Sequence, residues 1–414
     1  MSNMLLISLL SFACMVFHLL IQRNPASPGV VHGAVWLLVS LGYVFFLGDL
    51  SILSPRTLVV MLIGIATFSI GIRLGTRIAT PGQSRNDHAA KPLPIPPAIV
   101  VVSAIGLAMM LYKAFQYMPI DWATSWFDGA GSWYNGLRHN LNNSQAKGSF
   151  GLAGYALNFS FAGTAYLVLF ARRYSPTLWL WASIVLSLGF AFLSTGKTHL
   201  VLLGCMVVGA AMPSGRSKRL LLVLALPLLG GAILFLVTLL TGRLITTPHN
   251  SLLASVEQTI KVYMFTAVGA FDISVNSGLP STEGSMTFRT PLAVLRFLGA
   301  PVEVPEMIQP NVTFASYLIN VYTVFSPYYR DFGVVGVGLF LGVLGALHGW
   351  IFRQLKTGMP IIIVANALLF YALIMQFFQD QYFSLMSQWI QLLGWTYVFN
   401  KLQPLPSIAE QDRQ

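Results

Sequence analysis

The sequence predicts an all-α polytopic integral membrane protein of about eleven transmembrane helices, with a large, partly helical outer loop between the eighth and ninth. Three observations carry this reading. Of 414 residues, 55% are hydrophobic and only 9% charged, where a soluble domain carries about 25% charged residues. Apolar runs of roughly 18 residues or more recur, long enough to cross a hydrocarbon core of about 30 Å. Basic residues gather in alternate short loops, as the positive-inside rule requires.

The spans are expected at 4–21, 30–48, 57–75, 97–115, 150–171, 177–194, 196–212, 219–240, 332–352, 359–379 and 383–399. The first lacks a basic n-region and a small-residue cleavage site, so it is expected to be retained rather than removed as a signal peptide. Pro227 and the glycine-rich run from Gly333 to Gly349 are compatible with spans, because membrane helices tolerate both residues and small side chains allow close packing. Arg77, Arg85 and Lys91 share one loop, Arg172 and Arg173 another, Arg216, Lys218 and Arg219 a third, and Arg353 and Lys356 a fourth. With eleven spans all four loops fall on one face, which is therefore cytoplasmic, and the N-terminus lies outside. The formal charge of +11 follows from this topology and is no argument for nucleic acid.

The expected organisation is helices 1–4 over 1–115, a first long outer loop over 116–149, helices 5–8 over 150–240, a large outer loop over 241–331, helices 9–11 over 332–399 and a cytoplasmic tail over 400–414. The large loop is too long for a connector and is expected to fold. Within it, 257–272 and 314–325 are apolar but short for spanning, and read as interfacial or re-entrant helices. The Pro-rich piece GAPVEVPEMIQPN reads as an ordered connector.

Two tempting motifs fail. FLSTGKTHLVLL contains the Gly-Lys-Thr tail of a phosphate-binding loop, but the glycine needed five residues earlier is Ala191, and membrane-length apolar segments flank it. Asp331-Phe332-Gly333 has no glycine-rich loop or His-Arg-Asp loop to make a kinase. Cys14 and Cys205 lie in apolar runs, and two cysteines make no disulfide framework. No Asp-x-Asp pair or His/Cys cluster at ligand spacing occurs, so no metal and no cofactor is expected.

Polar groups concentrate at the outer ends of spans and in the outer loops, while mid-span regions are nearly free of charge; His18 and His348 are the main exceptions. A transporter keeps ionisable groups near the midplane, so this distribution favours chemistry at the outer surface on an amphiphile. Lys197 follows a Ser194-Thr195-Gly196 turn, where a hydrated point charge suits phosphate, although taken alone a lysine snorkelling at a helix end is the stronger reading. Arg243 follows the eighth span, with His249 close by. Arg289 and Arg296 are seven residues apart and so share roughly one helical face, and Arg330 precedes Asp331. Guanidinium forks bind phosphate oxygens bidentately; the competing reading is ion pairing with the loop's own acids. WATSWFDGAGSWYNGLRHN places Trp133 ahead of Arg138, where rings that could stack on sugars could also form an interfacial aromatic belt.

The stretch NVYTVFSPYYRDFGVVGVG, from Asn320 into the ninth span, resembles the Wzy-type O-antigen polymerases, or oligosaccharide repeat-unit polymerases. Their Asn-Val-Tyr-Thr element followed by Asp-Phe-Gly-x-x-Gly matches Asn320, Tyr322, Thr323, Asp331, Phe332, Gly333 and Gly336. VYMFTAVGAFD, Val262 to Asp272, is similar to the element those proteins carry after an arginine corresponding to Arg243. The resemblance covers roughly the second half of the chain, and departs from the family where Lys197 stands in place of a Gly-Ser-Arg arginine. It implies polymerisation of undecaprenyl-diphosphate-linked oligosaccharide repeat units at the periplasmic face of a Gram-negative inner membrane. The acceptor hydroxyl attacks the anomeric carbon, and lipid diphosphate leaves. Expected partners are the lipid-linked oligosaccharide, the bilayer and, from the resemblance only, a chain-length regulator protein. On this basis Asp331, Arg243 and His249 are the expected catalytic residues, with Glu303, Glu306 and Asp272 as further candidate bases. Arg138, Lys197, Arg243, Arg289, Arg296 and Arg330 are the expected diphosphate-binding cations, and Trp133, Asn320 and Tyr322 the expected glycan-binding groups. A lipid-linked glycan ligase using the same donor, and a lipid-linked oligosaccharide flippase with a polar cavity, stay open as alternatives.

Overall fold

In a computed structural model the described residues are 3–47, 53–79, 95–116, 152–170, 177–194, 196–211, 251–277, 281–306, 309–314 and 317–402. They form twelve α-helices: α1 (Asn3–Gln22), α2 (Pro28–Leu47), α3 (Pro55–Ile78), α4 (Ile95–Gln116), α5 (Leu152–Phe170), α6 (Thr177–Leu193), α7 (Lys197–Ala211), α8 (Leu252–Asn276), α9 (Arg289–Phe297), α10 (Phe325–Gln354), α11 (Pro360–Ile374) and α12 (Met386–Leu402). Short 3₁₀ turns extend α10 and α11 over Leu355–Thr357 and Met375–Phe377. One two-stranded hairpin, β1 (Val312–Phe314) and β2 (Tyr317–Ile319), pairs antiparallel with Thr313 opposite Leu318.

Each expected span except 219–240, which lies outside the described residues, is occupied by a helix. Among the described residues, six helical segments are long and apolar enough to cross a membrane: Asn3–Gln22, Pro28–Leu47, Pro55–Ile78, Ile95–Gln116, Phe325–Thr357 and Pro360–Phe377. One expectation is corrected. The 314–325 piece is no helix: Phe314 ends β1, Tyr317–Ile319 is β2, and irregular backbone follows up to Phe325, so the described residues are mostly rather than wholly helical. Helical structure begins at Phe325, ahead of the ninth span expected from 332, and is bent at Gly333.

The chain divides into two units, one of Met1–Pro81, Pro248–Lys356 and Leu369–Ser387, the other of Gly82–Thr247, Thr357–Leu368 and Gln388–Gln414. In the second unit, hydroxyls join α5 to α6. Ser160 and Thr164 bond to Ser187 at 2.8 Å each, and Thr164 to Ser183 at 2.6 Å. Asn158 of α5 donates to Gln391 of α12 at 2.9 Å and accepts from Gln388 at 3.0 Å. In lipid, helices gain nothing from excluding water from one another, so small residues and interhelical hydrogen bonds supply the contact.

The first unit is organised around α3 and α10, its most extensive helix pair. Their glycines interlock. A Cβ on Gly71 would strike the Gly342 carbonyl oxygen, one on Gly75 that of Ala346, one on Gly345 that of Phe68, and one on Gly349 that of Ile72. The start of α1 meets the start of α3 through Asn3 Nδ2 donating to Leu53 O at 2.6 Å. That end of the unit, called upper below, also holds the end of α8, where Asp272 accepts from Ser54 N at 3.1 Å and Ser54 Oγ at 2.7 Å.

Candidate functional site

The upper part of α10 is not a straight helix. Gly333 has φ 63° and ψ −154°, a conformation essentially restricted to glycine. Phe325 and Leu341 are sixteen positions apart and would be separated by about 24 Å along a straight helix. Yet a Cβ on Gly64 of α3 would lie 2.5 Å from the Phe325 ring and 3.1 Å from Leu341. The chain therefore doubles back at Gly333, and Phe325–Phe332 forms a hook beside the upper turns of the main helix. Gly336 makes the fold-back possible: a Cβ there would meet Phe332 Cβ and lie 2.6 Å from the Tyr328 carbonyl oxygen. This accounts physically for Asp-Phe-Gly-x-x-Gly. One glycine turns the chain, and the other lets the two arms touch.

The base of the hook is deep. Gly64 lies nine positions into α3, roughly 14 Å below its first residue, and Trp36 of α2 stacks on Phe325 at 4.9 Å between centroids. Val324 N donates to Gln376 O at 2.8 Å. The Gln376 side chain accepts from His32 Nδ1 at 2.9 Å and Trp36 Nε1 at 3.1 Å, and donates to the Tyr382 hydroxyl at 3.1 Å. Tyr382 also bonds His348 Nε2 at 2.9 Å. The irregular segments 320–324 and 378–385 thus lie within the helix layer. Non-helical backbone at that depth is tolerated where it is buried in protein or lines a polar cavity.

Two carboxylates hold this irregular backbone. Asp331, 5% exposed, accepts from Thr287 N at 2.6 Å, from Met286 N at 3.4 Å and from the Thr282 hydroxyl. Its carbonyl accepts from Ser281 Oγ at 3.0 Å. The hook's tip is therefore latched to the 281–287 turn, which leads into α9. Asp380, 2% exposed, accepts from Tyr328 Oη at 2.8 Å, Tyr382 N at 3.1 Å, and Ser384 N and Oγ at 3.0 and 2.9 Å. Tyr328 and Asp331, three residues apart, thus clamp the hook to two different loops. Phe288, Phe332, Phe340 and Phe383 pack against one another above Tyr328; Phe332 stacks on Phe340 at 5.4 Å.

Four polar atoms of the hook, its approach and its latch are buried without a partner among the described residues: Thr323 Oγ1, Ser326 Oγ, Arg330 Nε and Thr287 Oγ1. Buried polar groups are nearly always paired, so a concentration of donors without partners marks a place where a polar ligand can be received. Arg330 lies close enough to Tyr322 to oppose the rise that burial imposes on the phenol pKa, and the Tyr322 hydroxyl donates to Pro310 O at 2.8 Å.

The structure brings together Arg330, Asp331, Tyr322 and, through the latch, Arg289. Arg289 Nε donates to Pro305 O at 2.9 Å, and partial burial lowers its pKa from the ordinary guanidinium value. Arg296 is exposed, two turns further along α9, and Asn320 is exposed at the hairpin's exit. Lys197 is the first residue of α7. Arg138, Arg243, His249 and Trp133 lie outside the described residues. Asp331 sits as an anchor, with each carboxylate oxygen accepting a donor of its own chain. Of the other candidate bases, Asp272 is engaged by Ser54 and Asn276. Sequence reasoning missed Asp380 as a site residue and missed the depth of Gln376 and Tyr382. The signal was an acid between two glutamines and a tyrosine, QFFQDQYF, inside a nearly continuous apolar stretch.

The chain is similar to an O-antigen polymerase of Shigella dysenteriae, 25% identical over 234 residues. The matched stretch makes up 56% of this chain and 58% of that relative. No family model matches the sequence, and no solved structure matches it. The relative's name agrees with the family that the Asn320–Gly336 element resembles. The apolar helices make this chain a multi-pass membrane protein, similar to an O-antigen polymerase.

Proposed function

We propose that this protein polymerises undecaprenyl-diphosphate-linked oligosaccharide repeat units by glycosyl transfer, with lipid diphosphate as leaving group, at the periplasmic face of an inner membrane. The observation that carries the reading is the hook. The element on which the family resemblance rests, Asn320 to Gly336, is folded back, clamped at two carboxylates, and left with unpaired donors at Thr323, Ser326, Arg330 and Thr287.

In this reading the upper end of the first unit faces the periplasm, and eleven spans place the N-terminus outside and the C-terminus in the cytoplasm. Arg330, Arg289 and Arg296 meet the diphosphate in this reading; Arg138, Lys197 and Arg243 are proposed as diphosphate-binding cations on the sequence alone. Preplaced cations stabilise the charge that develops on the departing diphosphate. Asn320, Tyr322 and Trp133 meet the glycan. Asp331 is a positioning residue whose carboxylate ties the 282–287 turn to the hook that carries Arg330, and His249 is the base that takes the acceptor's proton. A chain-length regulator is a further partner in this scheme.

The test uses the full chain in lipid nanodiscs with undecaprenyl-diphosphate-linked repeat units of its own strain, with products resolved on a gel. A ladder at repeat-unit spacing is expected. Arg330→Ala abolishes it in a protein that still elutes as the wild type, and Arg330→Lys restores part of it, because lysine keeps the charge and loses the fork. Absence of a ladder from wild-type protein with authentic substrate overturns the proposal; transfer to a different acceptor would identify a ligase instead.

A further inference from the structure

We infer that α9 is an in-plane anchor that lies in the headgroup region of the bilayer, apolar face towards the acyl chains, and so sets the level of the latch beside it. The helix has no buried residue. Pro291, Val294, Leu295 and Leu298 fall on one side at helical spacing, and Val294, Leu295 and Leu298 are 52%, 46% and 73% exposed. Arg289 and Arg296 fall on the opposite side. Phe297, beside the apolar face, is 88% exposed.

A short helix with an uncovered apolar face and arginines opposite would be a liability in water. It is the composition of a segment that binds a membrane surface. What identifies the occupant as lipid is where the helix begins. Phe288, the residue before α9, packs on Phe332 and Phe340. From there Val335, Leu339, Val343, Leu347 and Trp350 run down one exposed side of a segment long and apolar enough to cross a membrane. The apolar face of α9 therefore starts at the top of a lipid-facing stripe. Its arginines lie where headgroup phosphates would be, and Arg289 is tied to Pro305 O. An apolar face buried roughly 5–10 Å into the boundary would hold the Thr287–Asp331 latch at the membrane surface. The inference rests on the chain's being a membrane protein and stands whether or not it is a polymerase.

The test places one nitroxide label at a time on the full chain carrying Cys14→Ser and Cys205→Ala, at Val294→Cys, Phe297→Cys and, in the 281–287 turn, Glu283→Cys. The proteins are held singly in nanodiscs of phosphatidylethanolamine and phosphatidylglycerol. Collision rates with oxygen, which partitions into lipid, are compared with those of a water-soluble nickel chelate. The expected result is an oxygen-to-nickel ratio severalfold higher at 294 and 297 than at 283. Equal ratios, or labels at 294 and 297 that favour nickel, overturn the inference. Labels there that are shielded from both reagents also overturn it, since they would be covered by protein. All three positions are exposed, so labelling leaves the fold intact, which the elution profile checks.

Discussion

The two halves of α10 use glycine for opposite purposes. Below the bend, Gly345 and Gly349 face the Phe68 and Ile72 backbone of α3, as Gly71 and Gly75 face that of Gly342 and Ala346, and what counts is the missing side chain: each helix backbone occupies the space a Cβ would take. At the bend, no atom lies within 4 Å of where a Gly333 Cβ would stand. What counts there is the backbone, φ 63° and ψ −154°. The lower half is thus a packing device and the upper half a conformational one. The latching carboxylate sits at the upper half, because doubling back carries Asp331 onto the irregular 281–287 segment. Four substitutions separate the two uses.

The largest effect belongs to the seam. Gly71→Val would drive a branched side chain into the Gly342 carbonyl and the Ala346 backbone nitrogen, neither of which moves without the whole helix. The expected cost is at least about 3 kcal/mol, above the usual range for overpacking because the obstacle is backbone. Thermal unfolding in detergent should show little folded protein. A variant that melts like wild type would mean that α3 and α10 are not held this closely.

Gly333→Ala comes next and breaks the other half. The new methyl meets nothing, so the cost is backbone strain alone, about 1–3 kcal/mol. The seam should persist and the protein should stay folded, with a lowered melting midpoint. If the hook is relaxed, Asp331 no longer meets Thr287, and polymer formation falls much further than stability does. Equal loss of both would show that the hook is only structural.

Asp331→Asn is milder for stability, about 1 kcal/mol, because an amide replaces only part of what a carboxylate accepts from two backbone N–H groups and a hydroxyl. As a positioning residue, Asp331 leaves a residual product ladder when replaced, with an unchanged pH profile. A variant of wild-type stability with no activity at any pH would instead make it the base.

How far the sequence discloses these features follows the same division. The glycine run from 333 to 349 is visible as a close-packing signal, and helices do occupy the expected spans that are described; its partners Gly71 and Gly75 emerge only from the packing. The paired outer arginines on α9 also follow from spacing, since Arg289 and Arg296 fall on one side of a helix. The bend was hidden because hydropathy averages over many residues, whereas it resides in two dihedral angles of Gly333. Read as loop followed by span, 320–352 gives the right polarity but the wrong path. The deep 378–385 segment escaped for a related reason. Its neighbours are apolar enough to continue a helix, and what interrupts them includes a partner of Asp380, Tyr328, that stands 52 positions earlier.

The smallest effect is the most discriminating for the seam itself. Gly338 lies in the same glycine run, but a Cβ there would stand 3.5 Å from Ile63 Cγ2 and 3.8 Å from Thr67 Cγ2. Those are ordinary van der Waals separations, so Gly338→Ala needs no helix movement. Alanine is favoured over glycine in a helix by up to about 1 kcal/mol, so the variant should melt at or slightly above the wild-type temperature, with full activity. A sharp loss would mean that the spacing between α3 and α10 is tighter near the bend than these distances allow. Unchanged melting, beside the collapse expected of Gly71→Val, would show that membership of a glycine run does not make a glycine necessary. The necessary ones are those where the partner helix presents its backbone.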